Sequence, residues 1–213
     1  MAEGGELVKL FRNYPEEIAQ RVPPGQRLVK GWPVLHYGPI PRFDERSWDF
    51  QVTGLVERPY TLTYSELKAL GPAKVTADMH CVTGWSTLDN RWEGVPFHLL
   101  AERAQPKPEA AWVITHCDHG YTSNLSLQAM MGDDVVVAWG HNDEPLTPEH
   151  GFPLRLVVPK RYAWKSAKWL RGLELSATND RGFWEERGYH IHADPWPEER
   201  YSYQEQPGDE ARQ

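Results

Sequence analysis

The sequence is short of three things. It has two cysteines in 213 residues, well separated along the chain, which is too little for a disulfide framework and fits a reducing compartment better than an oxidising one. It has no run approaching the roughly 18 consecutive apolar residues that cross a bilayer. Residues 1–5 also lack the basic-then-apolar order of an export signal, so a cytoplasmic protein without a membrane span is expected. It is short of positive charge as well, with 23 Lys and Arg against 30 Asp and Glu and a net charge of -7. General affinity for nucleic acid needs a basic field, and no nucleic-acid partner is expected. No internal repeat or low-complexity tract is present.

Aromatic residues and turn formers are abundant. Ten tryptophans and 18 prolines point to a loop-rich fold with large aromatic contact surfaces, not to a helical bundle. A chain of this length buries a large core as one domain. Residues 1–33 read as an arm, with a short helical pattern at 7–11 broken by Val22-Pro23-Pro24-Gly25. Residues 34–203 form the domain, and the polar tail at 204–213 is expected to fray.

Periodicity gives a mixed α/β (α+β), sheet-rich succession. Trp48, Phe50 and Val52 alternate as a strand ending at Gly54, and Val75, Ala77, Met79 and Cys81 do the same before a turn at Gly84. Thr63-Tyr64-Ser65-Glu66 is a capping box opening a helix to residue 70. A second helix spans 97–104, with Pro96 at an early helical position. Further strands are expected at 111–116, 135–139, 154–158 and 173–177, with a short helix at 127–131 and turn residues Asn142 and Asp143.

Three features carry chemistry. Cys81 ends a strand, so its thiol is presented to whatever lies beyond; it reads as a soft metal ligand, a nucleophile, a redox thiol or a small buried hydrophobe. Arg155 sits among aliphatics in a strand, which requires a carboxylate or a bound anion as partner. It is followed by an aromatic-rich loop holding Lys165, Ser166 and Lys168, a candidate phosphate cradle or else a solvated basic loop. The polar cluster His116-Cys117-Asp118-His119 invites zinc, but it lacks the separated pairs of a closed tetrahedral site.

Four segments in order, His36-Tyr37-Gly38-Pro39-Ile40-Pro41, the Cys81 strand with Gly84-Trp85, His150-Gly151-Phe152-Pro153-Leu154-Arg155, and Ser166-Ala167-Lys168-Trp169-Leu170, resemble the molybdopterin-binding domain shared by sulfite oxidases and the molybdenum methionine-sulfoxide reductases. The resemblance implies a sulfite-oxidase-like fold, a molybdopterin-type molybdenum cofactor and Cys81 as the metal ligand. It further implies that His150, Arg155, Ser166, Ala167 and Lys168 grip the pterin and its phosphate, that the His36-Tyr37 loop closes over it, and that Cys117 is a further pterin contact. His116, His119 and Tyr121 become neighbours of the metal.

In sulfite oxidases an arginine follows the ligating cysteine, whereas Val82-Thr83-Gly84-Trp85 is neutral here. Reduction of an S-oxide or N-oxide is therefore expected over sulfite oxidation, on a small-molecule substrate and with a separate electron donor or acceptor protein. Arg42, Arg91 and Lys165 are the cations that would overturn that expectation by reaching the pocket from a loop. Two rivals stand beside this reading: a cysteine-nucleophile enzyme and a non-catalytic, aromatic-rich binding module.

Overall fold

Alternation of apolar and polar side chains, the sheet's period of two, builds most of the structure. The computed structural model describes residues 14–209; the helical pattern at 7–11 lies outside the described residues. In chain order the strands are β1 (Arg27–Leu28), β2 (Phe50–Gly54), β3 (Tyr60–Leu62), β4 (Ala73–Cys81), β5 (Trp85–Pro96), β6 (Trp112–Cys117), β7 (Thr122–Ser126), β8 (Val136–His141), β9 (Glu144–Pro145), β10 (Arg155–Val157) and β11 (Leu170–Ser176). Short α-helices, α1 (Glu16–Ala19), α2 (Tyr64–Lys68), α3 (Phe97–Ala104) and α4 (Leu127–Met130), lie between them.

The strands make two sheets. One has the order β1-β5-β8-β10, with β4 on β5 and β9 on β8; the other has the order β3-β2-β11-β6-β7. The second is mixed, since β11 runs parallel to β2 and antiparallel to β6. Phe50, Val52, Leu173 and Leu175 of the second sheet meet Val137 and Leu156 of the first in the main core, together with the buried face of α3. A second cluster, with Met79, Cys81, Trp85, Trp92 and Val157, lies on the opposite face of the first sheet. The pleat decides which residue goes where: Val137 enters the main core while Val136 and Ala138 enter the second cluster. The same alternation sends Leu154 and Leu156 into the main core and delivers Arg155 to the side of Cys81.

The local signals act as the sequence indicates. Thr63 Oγ1 accepts the Glu66 N–H at 3.3 Å and Glu66 Oε2 accepts the Thr63 N–H at 2.8 Å, opening α2, which ends at Lys68. Pro96 is the N-cap of α3, one position ahead of the first helical residue. Asn142 and Asp143 adopt φ of 52° and 68° in the β8–β9 turn, a conformation to which Asn and Asp are suited.

Two expectations are corrected. The tail after Tyr203 is anchored at Asp209, whose carbonyl accepts a hydrogen bond from His192 and which is buried, while residues 206–208 are exposed and residues 210–213 lie outside the described residues. The basic loop is not wholly solvated either. Lys165 is fully buried, pairs with Glu185 at 2.5 Å, and donates to the main-chain and side-chain oxygens of Asn124. Glu185 in turn accepts from Trp164 Nε1 at 2.8 Å. This buried pair fastens the C-terminal segment to the loop, and burial lowers the Lys165 pKa.

Breaking such a pair by removing one partner strands a buried charge, at about 3–5 kcal/mol. Lys165→Met is therefore expected to lower stability by that order. Lys165→Met combined with Glu185→Gln, which keeps an acceptor for Trp164, recovers part of the loss in urea denaturation.

Candidate active site

A cavity of about 350 Å³ opens on the Cys81 side of the first sheet, within the size range of small-molecule sites. Four stretches of chain converge on it: residues 32–37, residues 79–85 around the end of β4, His150 with Arg155, and residues 163–169. Tyr121, and Trp184 and Tyr189 from the C-terminal segment, complete the wall.

Cys81 closes β4, and a tight turn follows. Gly84 N donates to the Cys81 carbonyl at 2.9 Å, and Gly84 takes φ of 88°, the left-handed region that glycine enters without a Cβ clash. The turn is held from outside as well: Gln26 donates to the Cys81 carbonyl at 3.1 Å, Arg27 N to the Gly84 carbonyl at 3.0 Å, and Arg200 to the Val82 carbonyl. Cys81 is 8% exposed and lines the cavity. Its sulfur accepts a hydrogen bond from Thr83 Oγ1 at 3.2 Å.

Of the two partners expected for Arg155, a carboxylate is not found among the described residues: its guanidinium donates to the carbonyls of His150 at 3.0 Å and Ser166 at 2.9 Å and lies over the rings of Trp32 and Trp92. Carbonyls and indole faces hold the group without neutralising it, and burial draws its pKa down to about 9. Lys168 is in the same condition: Nζ donates to the carbonyls of Leu35 and Glu149, each at 2.8 Å. Burial, then repulsion from Arg155, brings it to about 7.

His150 stacks on Trp32 with ring centroids 4.0 Å apart, and burial followed by the same two cations holds its pKa to about 4. Gly151, at φ of 114°, makes the close approach possible, since a Cβ there would come within 3.0 Å of Arg155 Cβ and 3.2 Å of Lys168 Cγ. Ser166 Oγ accepts the Val158 N–H at 2.9 Å, which leaves its O–H proton to donate elsewhere.

The structure thus brings together His36, Tyr37, Cys81, Tyr121, His150, Arg155, Ser166, Ala167 and Lys168. It does not bring in His116, Cys117 or His119. His116 stands on the solvent side of β6 and pairs with Glu174 at 2.8 Å, because alternation points it away from the buried faces of Thr115 and Cys117. Cys117 belongs to the main core, where burial pushes its thiol up. Tyr121, past the turn, returns to the cavity and donates to the Trp164 carbonyl at 2.7 Å.

Trp32, Trp164, Trp184 and Tyr189 line the cavity without having been singled out from the sequence, beside Trp169 of the matching segment. The abundance of tryptophan was the available signal, and it carries no position.

The buried guanidinium of Arg155 and the half-buried ammonium of Lys168, neither in an ion pair among the described residues, a sulfur facing the cavity, and the buried Trp85 Nε1, without a hydrogen-bond partner among those residues, describe a site shaped for a large anionic ligand with a soft metal. The fold and this site define a cofactor-dependent redox enzyme. Residues 37–184 match the oxidoreductase molybdopterin binding domain, and the chain belongs to that family. It is a molybdenum-cofactor-dependent oxidoreductase.

A Bacillus subtilis protein named uncharacterized oxidoreductase YuiH is 48% identical over 184 residues, covering 86% of this chain and 93% of that one. The protein-methionine-sulfoxide reductase catalytic subunit MsrP of Campylobacter jejuni is 26% identical over 175 residues, 72% of this chain and 59% of that one. The crystal structure of the sulfane dehydrogenase SoxCD from Paracoccus pantotrophus matches the fold with a TM-score of 0.63 at 22% identity, over 88% of this chain and 58% of that one.

A cation poised near pH 7 makes anion binding pH-dependent. With Lys168 at about 7 in the anion-free protein, sulfate, which stays fully ionised, is expected to bind cofactor-free protein progressively more weakly above pH 7. The fall approaches tenfold per pH unit, because binding must then take up a proton. Lys168→Met flattens the dependence in titration calorimetry. The same shift sets the sign for stability: the unfolded chain, with lysine near 10.4, holds this proton more tightly, so the Lys168 contribution rises with pH between about 7 and 10.

Proposed function

We propose that Cys81 is the molybdenum ligand and that the enzyme transfers an oxygen atom from a small S-oxide or N-oxide in preference to oxidising sulfite. The observation that carries this reading is the neutral wall adjoining Cys81. Val82, Thr83 and Trp85 line the cavity, and the cations that would make it a sulfite site lie elsewhere. Arg91 pairs with Asp143 at 2.7 Å, Lys165 is buried against Glu185, and Arg42 lines a separate small recess with Asp118 and Arg171. Arg200 is engaged with the Val82 carbonyl and Glu198. The cavity's own cations are Arg155 and Lys168, which this reading gives to the anionic cofactor; a doubly charged oxyanion beside Cys81 is then left without fixed positive charge and faces a desolvation cost of several kcal/mol.

The bound cofactor supplies the two-electron oxygen-atom transfer. The chain does the rest. Arg155, Lys168, His150 and Ser166 hold the pterin and its phosphate, with Ala167 alongside them and His36 and Tyr37 on the loop that covers them. Lys168 already ties that loop through the Leu35 carbonyl. Tyr121 presents a phenol whose ionisation burial suppresses and whose proton goes to the Trp164 carbonyl, so its oxygen serves as a neutral acceptor at the cavity wall. His150, held neutral by burial and then by its two cationic neighbours, positions without adding charge.

The MsrP relative, named a methionine-sulfoxide reductase catalytic subunit, supports both reduction of an oxide and electron delivery by a separate protein. Two unpaired cysteines fit a cytoplasmic setting, and no helix among the described residues is long and apolar enough to cross a membrane. A nucleophilic role for Cys81 has less support, because the hydrogen bond to its sulfur comes from a threonine hydroxyl and not from a histidine base.

Cys81→Ser exchanges a soft sulfur for a hard oxygen; turnover is expected to collapse while fold and pterin content persist, as followed by circular dichroism and metal and pterin analysis. Near-normal turnover would overturn the ligand assignment. On fully loaded protein with artificial electron carriers, S-oxide or N-oxide reduction is expected to exceed sulfite oxidation in kcat/KM. The reverse order would overturn the substrate reading.

A further inference from the structure

We infer that Thr83 is a positioning residue that tunes the metal through the sulfur of Cys81. Its hydroxyl donates to Cys81 Sγ at 3.2 Å, and Thr83 itself lines the cavity. The inference rests on Cys81 being the metal ligand. A hydrogen bond to a ligating sulfur withdraws electron density from it, so the sulfur donates less to the metal and the reduced state gains relative to the oxidised one. Hydrogen bonding to cysteine sulfur is a recurrent means of setting the potential of metal–thiolate sites.

The contact is built into the backbone and does not depend on a free rotamer alone. Cys81 and Thr83 belong to one tight turn, closed by the Gly84 N–H on the Cys81 carbonyl at 2.9 Å. The turn is clamped on three sides. Gln26 bonds the Cys81 carbonyl, Arg27 N the Gly84 carbonyl, and Arg200 from the C-terminal segment the Val82 carbonyl. Gln26 is itself fixed by Ser86, whose hydroxyl donates to its Oε1 at 3.3 Å and lies 2.8 Å from His80 Nδ1. A turn held at the carbonyls of Cys81, Val82 and Gly84 keeps the threonine side chain, two residues from the cysteine, within reach of the sulfur. The sulfur, on a residue 8% exposed, has little access to water as a substitute donor.

The test compares Thr83→Val, which keeps the shape and loses the donor, with Thr83→Ser, which keeps the donor. Purified holoenzymes are first assayed for molybdenum and pterin. The midpoint potential of the metal is then measured by redox titration followed by electron paramagnetic resonance, and the sulfur-to-metal charge-transfer absorption is recorded. Thr83→Val is expected to show a lower potential and a charge-transfer band shifted to longer wavelength, with Thr83→Ser at the wild-type values. Unchanged potential and band in Thr83→Val with full metal content overturns the role of Thr83 alone. A shift shared equally by Thr83→Val and Thr83→Ser shows a packing effect and also overturns it. Cys81→Ser protein that loads pterin and metal yet keeps the wild-type sulfur-to-metal absorption and potential overturns the Cys81 ligand reading, and this inference with it.

Discussion

The site depends on a buried positive charge that has no negative partner among the described residues. Arg155 is placed by the pleat of β10 on the Cys81 side of the first sheet, where its guanidinium reaches the carbonyls of His150 and Ser166. Those two bonds join the segment before the strand to the loop after it. The faces of Trp32 and Trp92 cover the same group and bring the N-terminal segment in. A formal carboxylate partner would have satisfied the charge and closed the site; carbonyl dipoles hold it in place and leave its field directed at the cavity. The lowered pKa values of Lys168 and His150 are consequences of that field together with burial.

Around this centre the structure separates two tasks by position in the chain. The segments matched by the family supply the charged and polar groups on which an anionic cofactor would rest. Part of the remaining wall comes from Tyr189, beyond residue 184, and the segment carrying it is tied down by the buried Lys165–Glu185 pair and by Arg200 on the Val82 carbonyl. Aromatic contacts continue through this segment, with Tyr189 against Trp164 and Trp184 at centroid distances of 5.1 and 5.3 Å. The neutral surroundings of Cys81 are thus produced by local sequence and by a distant strap that approaches the same turn.

Lys165 and Lys168 show how little residue type decides by itself. They are three positions apart in one loop, both lysines among aromatics. Lys165 turns inward and is consumed by Glu185 and Asn124, while Lys168 faces the cavity and bonds only carbonyls. His116 and Tyr121 form a similar contrast: five residues apart, one lies on an exposed sheet face with Glu174 and the other lines the cavity.

The sequence by itself determined the features that depend on neighbours in the chain. These were the alternation that makes Cys81 the last residue of a strand, the turn at Gly84, the capping box at Thr63, the span of α3 and the left-handed turn at Asn142 and Asp143. Motif order was enough to indicate the cofactor class, because the His36, Cys81, His150–Arg155 and Ser166–Lys168 segments stand in the order of the family they resemble. Only the tertiary structure decided what satisfies Arg155, that Lys165 is an internal ion pair, that His116 and Cys117 stand apart from the cavity, and that Trp184 and Tyr189 belong to it. The physical reason is range: hydrophobic period and turn chemistry act within a few residues, whereas the partner of a buried charge and the lining of a cavity are set by segments as far as 133 residues away.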